Sequence, residues 1–192
     1  MERICAIFSH YRRISLTEMC LQKLAQQTVP PHRVVVADNG AGDGSLDGVK
    51  EQAAAGAYPF MLEIIDMPGN TGNAGGIARG LERAFSFPDV DAVWILDDDS
   101  WPEPDALACL LSHGPGTDGM EWPCVRVCKV VDLKQGGELS WPMVLLDEKD
   151  GRRIHVTRGD ALPEAPFLLT GGAFLGALVP REIHDKVRGP TA

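Results

Sequence analysis

Three consecutive aspartates, Asp97, Asp98 and Asp99, follow directly on the apolar run VWIL at 93–96. Adjacent like charges repel and raise one another's pKa unless a cation or hydrogen-bond donors offset them. Side chains alternate along an extended chain, so Asp97 and Asp99 are expected on one side and Asp98 on the other. Two carboxylates on one side suit a hard divalent ion, Mg²⁺ or Mn²⁺, which shares the rest of its shell with phosphates and water. The preference of acids for helix starts accounts for one aspartate ahead of Pro102 and Pro104, but poorly for three.

Other polar groups end three earlier apolar runs. "SHYRR" at 9–13 offers Ser9, His10, Tyr11, Arg12 and Arg13, and "DNG" at 38–40 offers Asp38 and Asn39. "GNTGNAGG" at 69–76 contains Asn70, Gly72, Gly75 and Gly76 and precedes a helical stripe. Glycines there let backbone N–H groups approach an anion at a helix N-terminus. A tight turn with close helix–strand packing explains them equally well. The loop is neither a Walker A sequence nor G-x-G-x-x-G. Asp38 either caps its own loop or accepts hydrogen bonds from a ribose, as acidic residues at strand ends do.

These groups need a scaffold that brings strand ends together. Short apolar, β-branched runs at 3–8, 33–38, 62–66 and 92–96 alternate with helical stripes at 15–27, 45–56, 73–85 and 104–114. Ser15 and Glu18 have capping-box spacing, and Pro30-Pro31 stops the first helix. The alternation predicts an α/β fold: a Rossmann-like, mostly parallel central sheet flanked by helices. Ligands bind such sheets outside the carboxyl ends of the strands. From about 121 to 179 the pattern is strand-like, with a hairpin signal at Asp150-Gly151. Those strands are expected to run antiparallel and to add to one side of the sheet.

The chain has 192 residues and a net charge of −9, the size of one domain and the wrong sign for a nucleic-acid surface. No nucleic-acid partner is expected. Five cysteines without a framework pattern predict reduced thiols and a cytoplasmic setting. The lone C-x3-C of Cys124 and Cys128 lacks the second pair of a zinc site. No signal peptide or membrane span is visible, which leaves a soluble or peripheral protein.

The ordered set "FSHYRR", "VVVADNGAGDGS", "GNTGNAGG" and "WILDDDSWPEP" resembles the family 2 glycosyltransferases of the GT-A fold, in particular their bacterial galactofuranosyltransferase and rhamnosyltransferase branch. "FLLTGGAFLGALVPREIHDKVRGP" at 167–190 resembles a later, acceptor-side family segment. The resemblance implies a metal-dependent, inverting sugar transfer. The donor would be a UDP- or dTDP-sugar, and the acceptor a cell-surface glycan or lipid-linked molecule at the inner face of a membrane. Asp38 would contact the uracil or ribose, and Ser9, Tyr11, Arg13, Asn39 and Asp98 would line the nucleotide-sugar pocket. Asn70, Gly72, Gly75 and Gly76 would border nucleotide and sugar. Asp97 and Asp99 would be the D-x-D carboxylates holding Mn²⁺ or Mg²⁺. Residues 1–114 would form the nucleotide-binding half of one domain and 115–192 the acceptor side.

In the family a general base follows a segment like "KVRGP", and the expectation is that it falls beyond Ala192. Glu182 and Asp185 match no base position, and His184 is expected as a surface helix residue. Arg12, Arg13, Arg152, Arg153 and Arg158 are further candidates for phosphate or acceptor contact. Trp101, Trp122 and Trp141 are candidates for stacking on a sugar, with packing as the alternative. Two other functions stay open: a nucleotide-sugar-binding module lacking a base, and a sugar nucleotidyltransferase. The latter class opens with a glycine-rich loop after its first strand, and "FSHYRR" has no glycine.

Overall fold

Strand β1 (Ile4–His10) is buried at all seven positions, because it is an interior strand of the six-stranded main sheet and both its faces are covered. The computed structural model describes residues 2–40, 42–112, 124–136, 138–147, 150–162, 169–171 and 174–188. Helix α1 (Ile14–Ala25), strand β2 (Arg33–Asp38), helix α2 (Asp47–Ala54), strand β3 (Met61–Asp66), helix α3 (Gly72–Ser86), strand β4 (Ala92–Ile95) and helix α4 (Ala106–Ser112) follow in turn. The alternation read from the sequence is therefore present element by element. Strand order is β3-β2-β1-β4, all parallel, with Ile7 level with both Val35 and Ile95.

Period-two alternation along β1 splits the core into two layers. Ile4, Ala6 and Phe8 face α1, α2 and α4 through Leu21, Leu24, Val49, Leu107 and Leu110. Cys5 and Ile7 face the other way, against Ile77, Ala84 and Phe85 of α3. Gly80 of α3 lies over Ile7, where an added Cβ would sit 3.4 Å from two of its carbons. Close helix–strand packing is thus one reason for the glycines in this helix.

Helix α1 begins one residue before the proposed capping box. Arg13 is its N-cap, and no side chain caps the helix, so the Ser15–Glu18 pairing does not form. The chain turns into α1 through Arg12 at φ 57, the one non-glycine residue with positive φ among the described residues. That conformation is costly for a side chain with a Cβ.

The second half departs from the expectation that its strands all extend the sheet. Strands β10 (Ala177–Pro180) and β5 (Arg126–Val127) do extend it beyond β4, with β10 antiparallel to both neighbours. Strands β6 (Val131–Asp132), β7 (Glu138–Leu146), β8 (Arg153–Arg158) and β9 (Leu169–Gly171) instead form a separate antiparallel sheet. It has its own small core of Leu139, Met143 and Val156. The hairpin joining β7 to β8 closes through the Gly151 N–H on the Asp147 carbonyl at 2.7 Å. The register of β7 against β8 shifts between Glu138 and Met143, a stretch that contains Pro142, which has no N–H for the ladder. Helix α5 (Arg181–Arg188) follows β10 directly. Trp122 lies outside the described residues, as do residues 172 and 173 of the glycine-rich segment.

Candidate active site

Four parallel strands deliver their polar ends to one edge of the sheet. At the end of β1, Ser9 and His10 are buried and Tyr11 is at the rim, with the Arg12 guanidinium 5.1 Å from its ring centroid. His10 is fixed on both nitrogens, by the Thr17 hydroxyl at 2.8 Å and the Ser45 hydroxyl at 3.0 Å. Burial lowers its pKa, only partly opposed by Asp38 and Asp43, so the ring is neutral at pH 7.

At the end of β2, buried Asp38 accepts the Gly40 N–H at 2.8 Å, which fixes the orientation of its carboxylate. Asn39 ties three loops together. Its amide donates to the Ser9 hydroxyl at 2.7 Å and to the Gly72 carbonyl at 3.2 Å. Its carbonyl oxygen accepts the backbone N–H and the hydroxyl of Thr71, at 3.1 and 3.0 Å. Asn70 closes the same turn by accepting the Gly72 N–H at 2.9 Å, and Gly72 has φ 70. A Cβ on Gly75 would lie 2.4 Å from the Thr71 hydroxyl, and one on Gly76 would lie 2.6 Å from the Ser9 hydroxyl. In this structure, then, Asn39, Gly75 and Gly76 serve the packing of the loop against β1. The tight-turn explanation of the glycines is met, whatever ligand the loop also faces.

The aspartates sit differently from the strand-alternation picture. Strand β4 ends at Ile95, and a turn begins at Asp97, whose carbonyl accepts the Ser100 N–H at 3.1 Å. The turn puts Asp98 and Asp99, not Asp97 and Asp99, on one partner. One nitrogen of the Arg13 guanidinium donates to Asp98 Oδ1 and the other to Asp99 Oδ2, the latter at 3.0 Å. Asp97 accepts from the Asn73 amide at 3.0 Å. Asp98 is fully buried, and burial pushes its carboxyl up to about 6 against the pull of Arg13, with Asp99 and Asp97 adding to the rise. Asp97 is also raised, by burial first and then by the charge of Asp99. Beneath them the Cys20 thiol points at the Asp97 carbonyl, 3.8 Å away, and is held protonated by burial and the three carboxylates.

The resident positive group opposite the aspartates is thus Arg13. Its pairing with Asp98 spans 85 residues, and no local pattern reveals it. Asn73, Thr71, Thr17 and Ser45 are the other supporting residues that motif reading passed over. Asn73 and Thr71 lie inside the glycine-rich loop, so attention to its polar members was the available signal.

Among the described residues no three His, Cys, Asp or Glu side chains cluster as a metal cage. Asp97 and Asp99 are partly exposed and supply two carboxylates at most. That donor set fits Mg²⁺ or Mn²⁺ held jointly with phosphate oxygens and water, rather than an all-protein site.

The second half contributes little to this edge through α5. Pro180 is level with Ala92 at the start of β4, and the Arg181 N–H bonds to Asp91. Glu182 and Asp185 therefore follow from the opposite edge of the sheet. His184 lies on helix α5 as expected but is half-buried: its ring stacks on Phe85 with centroids 4.1 Å apart and meets Asp185. Trp101 and Trp141 are both about half exposed. Arg152 and Arg158 pair with Asp150 and Asp160 beside them.

The sequence model of glycosyl transferase family 2 matches residues 5–138, which contain all four strand-end motifs. The chain belongs to this family. The match favours a glycosyltransferase over the nucleotidyltransferase alternative. Two curated relatives, galactofuranosyltransferase GlfT1 from two strains of Mycobacterium tuberculosis, are each 33% identical over 98 residues, 51% of this chain and 31% of theirs. Among solved structures, the mannosyltransferase PcManGT from Pyrobaculum calidifontis, in complex with GDP-Man and Mn²⁺, superposes with a TM-score of 0.51 at 26% identity. That superposition covers 68% of this chain and 36% of that one. The chain thus spans about a third of the length of the relatives it matches. The family 2 glycosyltransferase assignment and the GT-A fold stand on the matched region.

Proposed function

We propose that this family 2 glycosyltransferase chain binds a UDP- or dTDP-sugar at the carboxyl edge of β1–β4. From there the sugar passes, with inversion, to a hydroxyl of a cell-surface glycan or lipid-linked acceptor. The observation that carries the reading is the turn at Asp97–Asp99, facing Arg13 and Asn73 on the edge that also holds Asp38. The printed ligands of the mannosyltransferase, GDP-Man and Mn²⁺, support a nucleotide-sugar and divalent-metal site.

In this reading Asp38, already oriented by Gly40, accepts hydrogen bonds from the base or ribose. Ser9, Asn39, Asn70, Gly72, Gly75 and Gly76 shape the loop against which nucleotide and sugar rest, and Tyr11 borders its rim. Asp97 and Asp99 hold Mn²⁺ or Mg²⁺, which supplies positive charge against the departing diphosphate. Arg13 and Asn73 orient those carboxylates. The acceptor hydroxyl attacks the anomeric carbon from the face opposite the diphosphate, and a carboxylate outside the described edge takes its proton. Residues 1–114 act as the donor half and 115–192 as the acceptor side. The setting is the cytoplasm, peripheral to the membrane; five free thiols support it. Among the described residues no helix is long and apolar enough to cross a membrane.

One observation favours a second reading, a nucleotide-sugar-binding module that needs another segment for turnover. The carboxylates of α5 follow from the far edge of the sheet. Calorimetric titration of UDP, with and without Mn²⁺, into the wild type and Asp99→Ala tests the shared donor site. Mn²⁺-dependent binding that is lost in the variant is expected. Equal binding by both proteins would overturn the site. Release of UDP from a bound UDP-sugar in the presence of acceptor separates the two readings.

A further inference from the structure

The two arms of the Arg13 guanidinium differ in how freely they can let go. One arm holds Asp98, whose side chain is 0% exposed. The other Asp98 oxygen, Oδ2, is buried with no hydrogen-bond partner among the described residues. Losing Arg13 would leave that carboxylate buried and uncompensated, which is strongly unfavourable. The second arm holds Asp99 where both side chains are about half exposed, 51% and 48%. Exposed ion pairs contribute little and exchange readily. The base of the side chain is pinned, because Arg13 is the N-cap of α1 and follows the left-handed Arg12. Arg13 can therefore release Asp99 without leaving Asp98.

Resting on the donor-site reading above, we propose that Arg13 is a binding residue that makes metal and nucleotide diphosphate occupy their adjoining sites cooperatively. Transfer of Asp99 to a divalent cation alone places that cation beside the guanidinium and leaves one Arg13 nitrogen without an acceptor. Both effects oppose metal binding. A diphosphate removes both: its oxygens take the freed N–H groups and its charge offsets the added cation. Arg13 thus exchanges a carboxylate partner for a phosphate partner. The free protein resists metal, and the metal–nucleotide pair is accepted as a unit. By linkage, whatever factor UDP gives Mn²⁺, Mn²⁺ gives UDP.

The test measures free Mn²⁺ by electron paramagnetic resonance over the full chain, with and without saturating UDP, in the wild type, Arg13→Gln and Arg13→Lys. In the wild type, UDP is expected to tighten Mn²⁺ binding at least about fivefold, within the usual range of site coupling. Arg13→Gln should bind Mn²⁺ alone several-fold tighter than the wild type, while the gain from UDP shrinks several-fold, to what direct phosphate–metal coordination alone supplies. Arg13→Lys keeps a cation beside Asp98 but lacks the planar fork, so its values should lie between. Damage to the fold would weaken metal binding, the opposite direction, and circular dichroism checks it. If Arg13→Gln does not fold, Arg13→Lys carries the comparison. A folded variant with unchanged or weaker Mn²⁺-only binding, or with the full UDP gain, overturns the proposal. Equal UDP gains in wild type and Arg13→Gln overturn the role of Arg13 and leave the donor site standing, whereas wild type that binds Mn²⁺ and UDP independently overturns both the coupling and a metal shared with the diphosphate. Wild type that binds neither, in any combination, overturns the donor site and the coupling together.

Discussion

Gly76 packs so closely on Ser9 that a methyl group at position 76 would lie 2.6 Å from the Ser9 hydroxyl oxygen and 2.9 Å from its Cβ. Neither neighbour is free to yield, since Ser9 is in an interior strand and its hydroxyl is held by Asn39. Gly76→Ala should therefore destabilise the protein by about 1–3 kcal/mol, the range for overpacking a core. UDP affinity should fall with it. Gly48→Ala is the control: it lies in α2 with nothing within 4 Å of an added Cβ. That substitution should be neutral or stabilising by up to about 1 kcal/mol, through helix propensity. Urea melts of the two variants make the comparison.

Asn39 joins the ends of β1 and β2 to the loop before α3 with four hydrogen bonds. Asn39→Ala leaves their partners unpaired in a largely buried place. A loss of about 2–3 kcal/mol is expected, on about 1 kcal/mol per bond less whatever water recovers. Asn39→Asp keeps the acceptor for Thr71 and can accept from a rotated Ser9 hydroxyl, but it sets a carboxylate oxygen against the Gly72 carbonyl, so it should rescue only part of the loss. Equal stability of Asn39→Asp and wild type would contradict this role.

Asp98 gives a pH signature. Its carboxyl stands at about 6 in the folded protein, raised first by burial. An unfolded aspartate titrates near 3.9. The folded state thus holds this proton more firmly than the unfolded state. The contribution to stability is fully present below about pH 4 and is lost as pH rises through about 6. Asparagine does not titrate. The stability of wild type relative to Asp98→Asn should therefore fall between pH 4 and 6, then level off. Thermal melts at four pH values would show it, and parallel curves would contradict it.

Arg181 separates stability from the site. Its guanidinium caps the end of α3 through the carbonyls of Phe85, Phe87 and Val90, at 2.6–2.9 Å. Those contacts lie at the sheet edge opposite Asp98. Arg181→Ala should cost about 2–3 kcal/mol of stability, since these bonds involve a charged donor. UDP affinity below the melting temperature should be unchanged. A variant that lost nucleotide affinity while staying folded would show that the two edges are coupled.

β1, β2 and β4 and their helices are legible because both faces of each strand are covered, which writes continuous apolar runs into the sequence, whereas β3 at the sheet edge is only half-buried. β1 and β2 are the clearest cases. The short strands of the second half carry no such signal: β5 and β6 are two residues each. Whether they extend the main sheet depends on distant partners such as Leu178 for Arg126. At the site, the residue types could be read but not their pairing. Strand alternation ends with Ile95, and the turn that follows brings Asp98 and Asp99 to one arginine. The capping-box spacing of Ser15 and Glu18 was outweighed by the entry of the chain through Arg12 and Arg13. Both departures concern backbone direction just outside an element, where periodicity stops being informative.

The central place of β1 has a consequence for synthesis on the ribosome. β1 is made before the other strands of its sheet, yet one of its edges is filled only by β4, and the Arg3–Asp91 contact that closes this pair spans 88 residues. At about 5–20 residues per second, that edge waits about 4–18 seconds for its partner. During that interval a mostly apolar strand offers unpaired N–H and C=O groups to any neighbouring chain. The same delay holds for Arg13, whose carboxylates emerge 85 residues after it. Co-translational folding should therefore show α1, β2 and β3 gathering on one side of β1 first, and a nascent chain that depends on a chaperone until β4 has left the tunnel.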